Sequence, residues 1–213
     1  MKLKILHRDP EIIVVHKPGG MTVYEEQGAA ENATSVLEQM LGIKVFPVHR
    51  IDRGTCGVLI FALNARWSTQ LRKSFFDRRV KKTYLALVIG IPPDTGSIKT
   101  PLKSREGKEE TALTRFTTLE TFELAPEIPY SLVKVEPRTG RFHQIRKHFR
   151  SIGHPLLGDE QYGTEEINAL VAKKFKVKRP LLNAFEITFP HPRSGRMIHV
   201  STDPDPDFSR LCP

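Results

Sequence analysis

Cysteine is scarce in this chain. Its 213 residues contain two, Cys56 and Cys212. That excludes a disulfide framework, and because neither belongs to a C-x-x-C pair, no structural zinc knuckle is expected either. Beside Thr55 and Gly57, Cys56 reads as a small packing residue. Long apolar runs are missing too: no stretch has the length needed to cross a bilayer, and residues 1–10 are too short and too polar for a signal peptide. No contact with a membrane is expected, and the location expected is the cytoplasm. Gly107-Lys108 has neither an upstream glycine at phosphate-loop spacing nor a Ser or Thr after the lysine, so no nucleotide cofactor is expected. Acids are outnumbered by bases, 24 against 33, for a formal charge of +9. A surplus of this size suits a polyanion such as RNA, although a merely soluble basic protein shows it as well.

The bases lie in groups: Arg72, Lys73, Arg78, Arg79, Lys81 and Lys82; Arg138, Arg141, Arg146, Lys147 and Arg150; and Lys173, Lys174, Lys176, Lys178 and Arg179. Separate groups fit a broad phosphate-binding face better than a basic tail. A β-branched run over residues 12–16 stops at a Lys-Pro-Gly-Gly turn. Asn32 or Thr34 caps a short helix ending at Gly42. Residues 57–62 read as a buried strand, and Asn64 caps a helix with Trp67, Leu71 and Phe75 on one packing face. Further strands are expected over residues 83–89, 111–122, 132–135, 181–189 and 197–200, with a helix over 142–152. Loops are expected at 92–107 and 124–129. Strands outnumber helices without alternating with them. The fold class expected is therefore α+β, a mixed, largely antiparallel central sheet flanked by helices, in a single domain over residues 1–213.

Chemistry concentrates in two segments. In His49-Arg50-Ile51-Asp52-Arg53, a carboxylate between arginines is available as nucleophile or base. Alternation along an extended segment turns Arg50 and Asp52 to one side. A charged turn residue with no catalytic part explains the same local pattern equally well. The second segment runs from Thr139 through Arg141, His143, Gln144, Ile145 and Arg146 to His148. A helix N-terminus with Arg141 beside it offers a phosphate site, Phe142, Ile145 and Phe149 form a buried stripe, and a partly buried Arg146 needs a carboxylate, for which Asp52 is a candidate. His143 and His148 lack a third ligand, so capping or RNA contact is expected there and a metal is not. Tyr84, in a strand-like run, reads from its spacing as core.

Taken together these segments resemble the RluA-type family of pseudouridine synthases, with matching blocks in order at residues 13–20, 49–61, 82–88, 139–163 and 182–195. The resemblance implies that Asp52 is the catalytic aspartate, that Tyr84 stacks on the target base and takes part in removing its C5 proton, and that Arg146 pairs with Asp52. It further implies that Arg50 enters the gap left by the flipped base and that Ile145 forms an apolar wall; Arg53, Arg141, His143 and Gln144 are expected to contact RNA as well. Neither a metal nor an organic cofactor is implied, and a monomer is expected. Two positions depart from the family pattern: Cys56 stands where serine is usual, and Asn183 where Leu-His-Ala has its histidine. No S4-like RNA-binding domain is expected. The target RNA is expected to be tRNA, with large-subunit rRNA, or both, as the alternative. A silent RNA-binding module remains the contrasting class; intact Asp52, Tyr84 and Arg146 speak against it.

Overall fold

The chain is described here by a computed structural model covering residues 3–25, 31–104 and 106–212. Met1 and Lys2 of the polar N-terminal stretch, and Arg105 of the expected 92–107 loop, lie outside the described residues. The elements in chain order are β1 (Lys4–Arg8), β2 (Ile12–Lys17), α1 (Ala33–Leu41), β3 (Phe46–Pro47), β4 (Cys56–Ala62), α2 (Ala65–Phe76), β5 (Lys81–Ile89), β6 (Thr95–Ile98), β7 (Leu102–Lys103) and β8 (Glu109–Glu110). They continue with β9 (Thr114–Ala125), β10 (Ile128–Pro137), α3 (Gln144–Ser151), α4 (Glu165–Phe175), β11 (Leu182–Pro190), β12 (Met197–Ser201) and α5 (Pro206–Leu211). The result is an α+β fold whose strand pairings with recorded register are all antiparallel. Among the described residues no helix is long and apolar enough to cross a membrane.

The chain forms two compact units. One holds residues 1–82 and 184–203, the other 83–183 and 204–213. In the first unit the strand order is β1–β2–β4–β11, with β3 on β4 and β12 on β11. Every residue of β4 is buried, as are residues 12–15 of β2. Apolar side chains on both faces mark strands covered on both sides. Ile12, Val14, Ile60, Leu71 and Phe189 form the centre of this core, and Trp67 and Phe75 of α2 pack against it. Local chemistry starts the helices. Asn32 Oδ1 accepts from Ser35 N–H at 3.0 Å, and Gly42, at φ 68, closes α1 by donating to Glu38 O at 2.8 Å. Asn64 accepts from Trp67 N–H at 3.0 Å and starts α2. These caps fall where sequence chemistry put them.

The second unit orders its strands β5–β10–β9–β6, with β7 and β8 forming a separate hairpin. Its core gathers Ala86, Val88, Val133, Val135, Phe149 and Leu156, and Tyr84 packs on it half-buried. Two expected loops are corrected here. Residues 92–107 contain β6 and β7, and the expected 124–129 loop shrinks to a tight β9–β10 turn with Glu127 at φ 64. Edge strands are short and polar, so their periodicity is weak. Gly96 belongs in β6 because a Cβ there would overlap the Phe116 ring. The expected 142–152 helix begins only at Gln144, because His143 takes the left-handed conformation at φ 54. Strand β9 begins at Thr114, not 111: the Leu113 backbone is taken by the side chains of Thr139 and Gln144. Helices α4 and α5 and strand β1 had no sequence counterpart.

Candidate active site

Asp52 lies in a loop of the first unit between β3 and β4. Its carbonyl accepts from Thr55 N–H at 3.0 Å, closing a turn. Ile51, Thr55 and Cys56 are buried around it, Asp52 is half-buried, and Arg50 and Arg53 are exposed. The loop is held from outside itself. Lys17, fully buried at the end of β2, donates from Nζ to Pro18 O at 2.9 Å, Met21 O at 2.7 Å and Arg53 O at 3.2 Å. Gly20 N–H also donates to Arg53 O at 2.8 Å, and Arg53 Nε returns a bond to Gly20 O at 3.0 Å. The Lys-Pro-Gly-Gly turn is thus stitched to the peptide that follows Asp52. A buried ammonium needs such partners, and a fixed backbone leaves a carboxylate little freedom to wander. Lys17 is a residue whose part the sequence reading missed; the one available signal was a lysine closing an apolar strand.

Near the same loop, His49 stacks on Phe75 with ring centroids 4.8 Å apart, and its Nε2 accepts from Ile60 N–H at 3.0 Å. Burial, with Lys82 adding a like charge, pushes its pKa down to about 3. Burial likewise pulls the Lys82 ammonium down to about 8.

In the second unit, Tyr84 on β5 stands opposite Val135 of β10 and packs on the same core as Ile145, which is 6% exposed. Arg146, buried on α3, makes a bidentate pair with Asp159: Nε to Oδ2 at 2.7 Å and Nη2 to Oδ1 at 2.8 Å. Asp159 is itself fully buried and also accepts from the N–H groups of Gln161 and Tyr162 at 3.1 Å. The guanidinium lies over the Tyr162 ring, 4.9 Å from its centroid. Asp159, thirteen residues downstream, thus supplies Arg146 with a carboxylate other than the expected Asp52 candidate, one that spacing along the chain does not reveal. A planar fork locked this way has its orientation set before any substrate arrives.

Other expected contacts have internal duties. Gln144 is 4% exposed; its Oε1 accepts from Thr139 Oγ1 at 2.6 Å and Arg141 N–H at 3.0 Å, and its Nε2 donates to Leu113 O and Thr114 Oγ1. Arg141 pairs with Glu110 at 2.8 Å, and His143 Nδ1 lies 3.1 Å from the Tyr162 hydroxyl. His148, for which capping or RNA contact was expected, is fully buried between Thr114 Oγ1 and Thr100 O, and burial lowers its pKa. It is core. The basic groups thin out as well. Arg179 pairs with Asp205 and Asp207, Lys147 donates to Lys103 O and Lys174 to Leu124 O. Residues Arg72, Arg78, Arg79, Lys173, Lys176 and Lys178 keep exposed side chains.

A family model described as RNA pseudouridylate synthase matches residues 11–151. The tRNA pseudouridine synthase C of Haemophilus ducreyi is 34% identical, over 99% of this chain and 95% of that protein. The protein of the same name from Pasteurella multocida is 35% identical, again over 99% and 95%. Among solved structures, human RNA pseudouridylate synthase domain containing 1 superposes with a TM-score of 0.79 at 27% identity, covering 96% of this chain and 84% of that one.

Proposed function

We propose that this chain, which belongs to the RluA-type RNA pseudouridylate synthase family and is an isomerase converting uridine to pseudouridine in RNA, acts on a uridine of tRNA with Asp52 as its catalytic carboxylate. The observation that carries the tRNA reading is likeness along 99% of the chain to proteins named tRNA pseudouridine synthase C. The pinned Asp52 loop supports the catalytic one. The reaction breaks the bond from ribose C1′ to uracil N1, turns the retained base, joins C1′ to C5, and moves the C5 proton to solvent while N1 gains one. Asp52 opens it by attacking C1′ or by removing a C2′ proton. Tyr84 stacks on the extruded uracil and helps draw off the C5 proton. Arg146, oriented by Asp159, steadies the Asp52 carboxylate, and Ile145 walls off water. Arg50 fills the gap in the stack, recovering part of the few kcal/mol that extrusion costs. Arg53, Arg141 and His143 meet the RNA around the site. Phe76, 87% exposed at the end of α2 beside Arg78 and Arg79, offers a face for an unpaired base.

Pseudouridine mapping of total RNA from cells with and without the protein tests the target. Loss of a tRNA site supports it, and loss confined to large-subunit rRNA overturns it. Asp52→Asn should lower turnover at least ~10³-fold while RNA affinity changes little, because the side chain acts on reacting atoms. Retained turnover would reject the assignment.

A further inference from the structure

One carboxylate organises the segment that follows α3. Asp159 Oδ1 accepts from the N–H groups of Gln161 and Tyr162, both at 3.1 Å, and from Arg146 Nη2 at 2.8 Å. The Asp159 carbonyl closes the turn, accepting from Gly163 N–H at 2.7 Å and from Asn168 Nδ2 at 2.9 Å. Gly163 permits this closure, because a Cβ there would stand 2.5 Å from that carbonyl oxygen. A single side chain thus sets both the place of the Tyr162 backbone and the plane of the Arg146 guanidinium.

Tyr162 is half-buried and uses both ends of its side chain. Its ring lies against the guanidinium, with Cζ of Arg146 4.9 Å from the ring centroid. Asp159 grips that guanidinium along one edge, through Nε and Nη2. A fork held by an edge can still hinge out of the carboxylate plane, and a ring on its face opposes that motion. At the other end, the Tyr162 hydroxyl lies 3.1 Å from His143 Nδ1, and the two rings meet edge to face with centroids 5.7 Å apart. The His143 ring also stacks on Phe142, centroid to centroid 3.7 Å. His143 needs such support. It stands at φ 54 and ψ 30 at the start of α3, a left-handed conformation that costs free energy for a residue with a Cβ and persists where its surroundings enforce it. Ring and cation contacts therefore run unbroken from Phe142 through His143 and Tyr162 to Arg146.

We propose that Tyr162 is a positioning residue of the isomerisation, its ring keeping Arg146 oriented for the reaction and its hydroxyl keeping His143 in place for the RNA. This assignment rests on the reading that Arg146 serves the catalytic carboxylate and that His143 meets RNA. On that reading Tyr162 makes the two one unit, so that RNA seated at His143 and the arginine of the reaction share a single support. Its part differs from that of Tyr84, which meets the base itself.

The test follows tritium released from uracil C5 when the full chain acts on total RNA, labelled at that carbon and taken from cells that lack the protein. Tyr162→Phe keeps the ring and loses the hydroxyl. Its kcat should stay close to that of the wild type while KM rises about 2–10-fold, the worth of one hydrogen bond. Tyr162→Leu loses both contacts, and its kcat should fall at least ~10-fold on top of the same rise in KM. Arg146→Gln is the reference and should lose at least as much kcat. Circular dichroism at the assay temperature gives each variant's folded fraction, to which kcat is normalised, so a merely structural tyrosine would leave no loss of kcat. Wild-type kcat in Tyr162→Leu beside a slow Arg146→Gln would overturn the proposal, as would Tyr162→Phe being as slow as Tyr162→Leu. Arg146→Gln as fast as the wild type would instead reject the reading of Arg146, and the proposal with it.

Discussion

Burial keeps the His49 imidazole neutral down to about pH 3, whereas the unfolded chain protonates it near 6.5. Between those values the unfolded state binds more protons, so stability is lost as pH falls from about 6.5 toward 3. Urea unfolding at pH 7 and pH 5 should show this slope in the wild type. His49→Asn, which keeps an acceptor near the Ile60 N–H, should flatten it. Asn183 makes the opposite case. It is fully buried and, among the described residues, neither its amide nitrogen nor its oxygen finds a partner. Leucine has the same branched shape and the same number of heavy atoms. Asn183→Leu should therefore raise stability by on the order of 1–3 kcal/mol, read as a higher urea midpoint at unchanged slope. A lower midpoint would mean that the amide does find partners in solution.

At the scale of elements, α3 and the turn after it act as one piece, because Arg146 and Asp159 close a bidentate pair away from water. Asp159→Ala leaves a buried guanidinium with that partner gone and should cost about 3–5 kcal/mol, visible as a lower denaturation midpoint. Turnover should fall as well, since Arg146 loses its orientation. What could be read along the chain follows the reach of each interaction. Asn32, Gly42 and Asn64 act on backbone within a few residues, so the ends of α1 and α2 were legible. The strand patterns around Val14, Leu59 and Leu87 were legible for the same reason. Lys17 bonding to the Arg53 carbonyl, and Gln144 filled by Leu113 and Thr114, depend on segments joined only by folding. Spacing alone left Asp52 a charged turn residue and Tyr84 a core residue. The roles proposed for them rest on family resemblance, and even that gave no hint that His148 is core.

Over the whole molecule, a charge of +9 makes affinity for RNA depend on salt. If about six phosphates are neutralised on a duplex-like RNA, raising salt from 50 to 200 mM should weaken binding by roughly 10³-fold. KM for the RNA should climb accordingly while kcat stays nearly constant. A flat salt response would mean that the exposed bases do not meet phosphate. The first compact unit also has a property that matters before any RNA is met. It is built from residues 1–82 together with 184–203. During synthesis the ribosome must therefore deliver β11 before β4, already flanked by β2 and β3, gains its remaining neighbour. Until then β4, apolar along its whole length, waits with an open edge, the kind of surface that invites aggregation. Nascent chains stalled before residue 184 should thus engage chaperones, and those extended past 203 should let go.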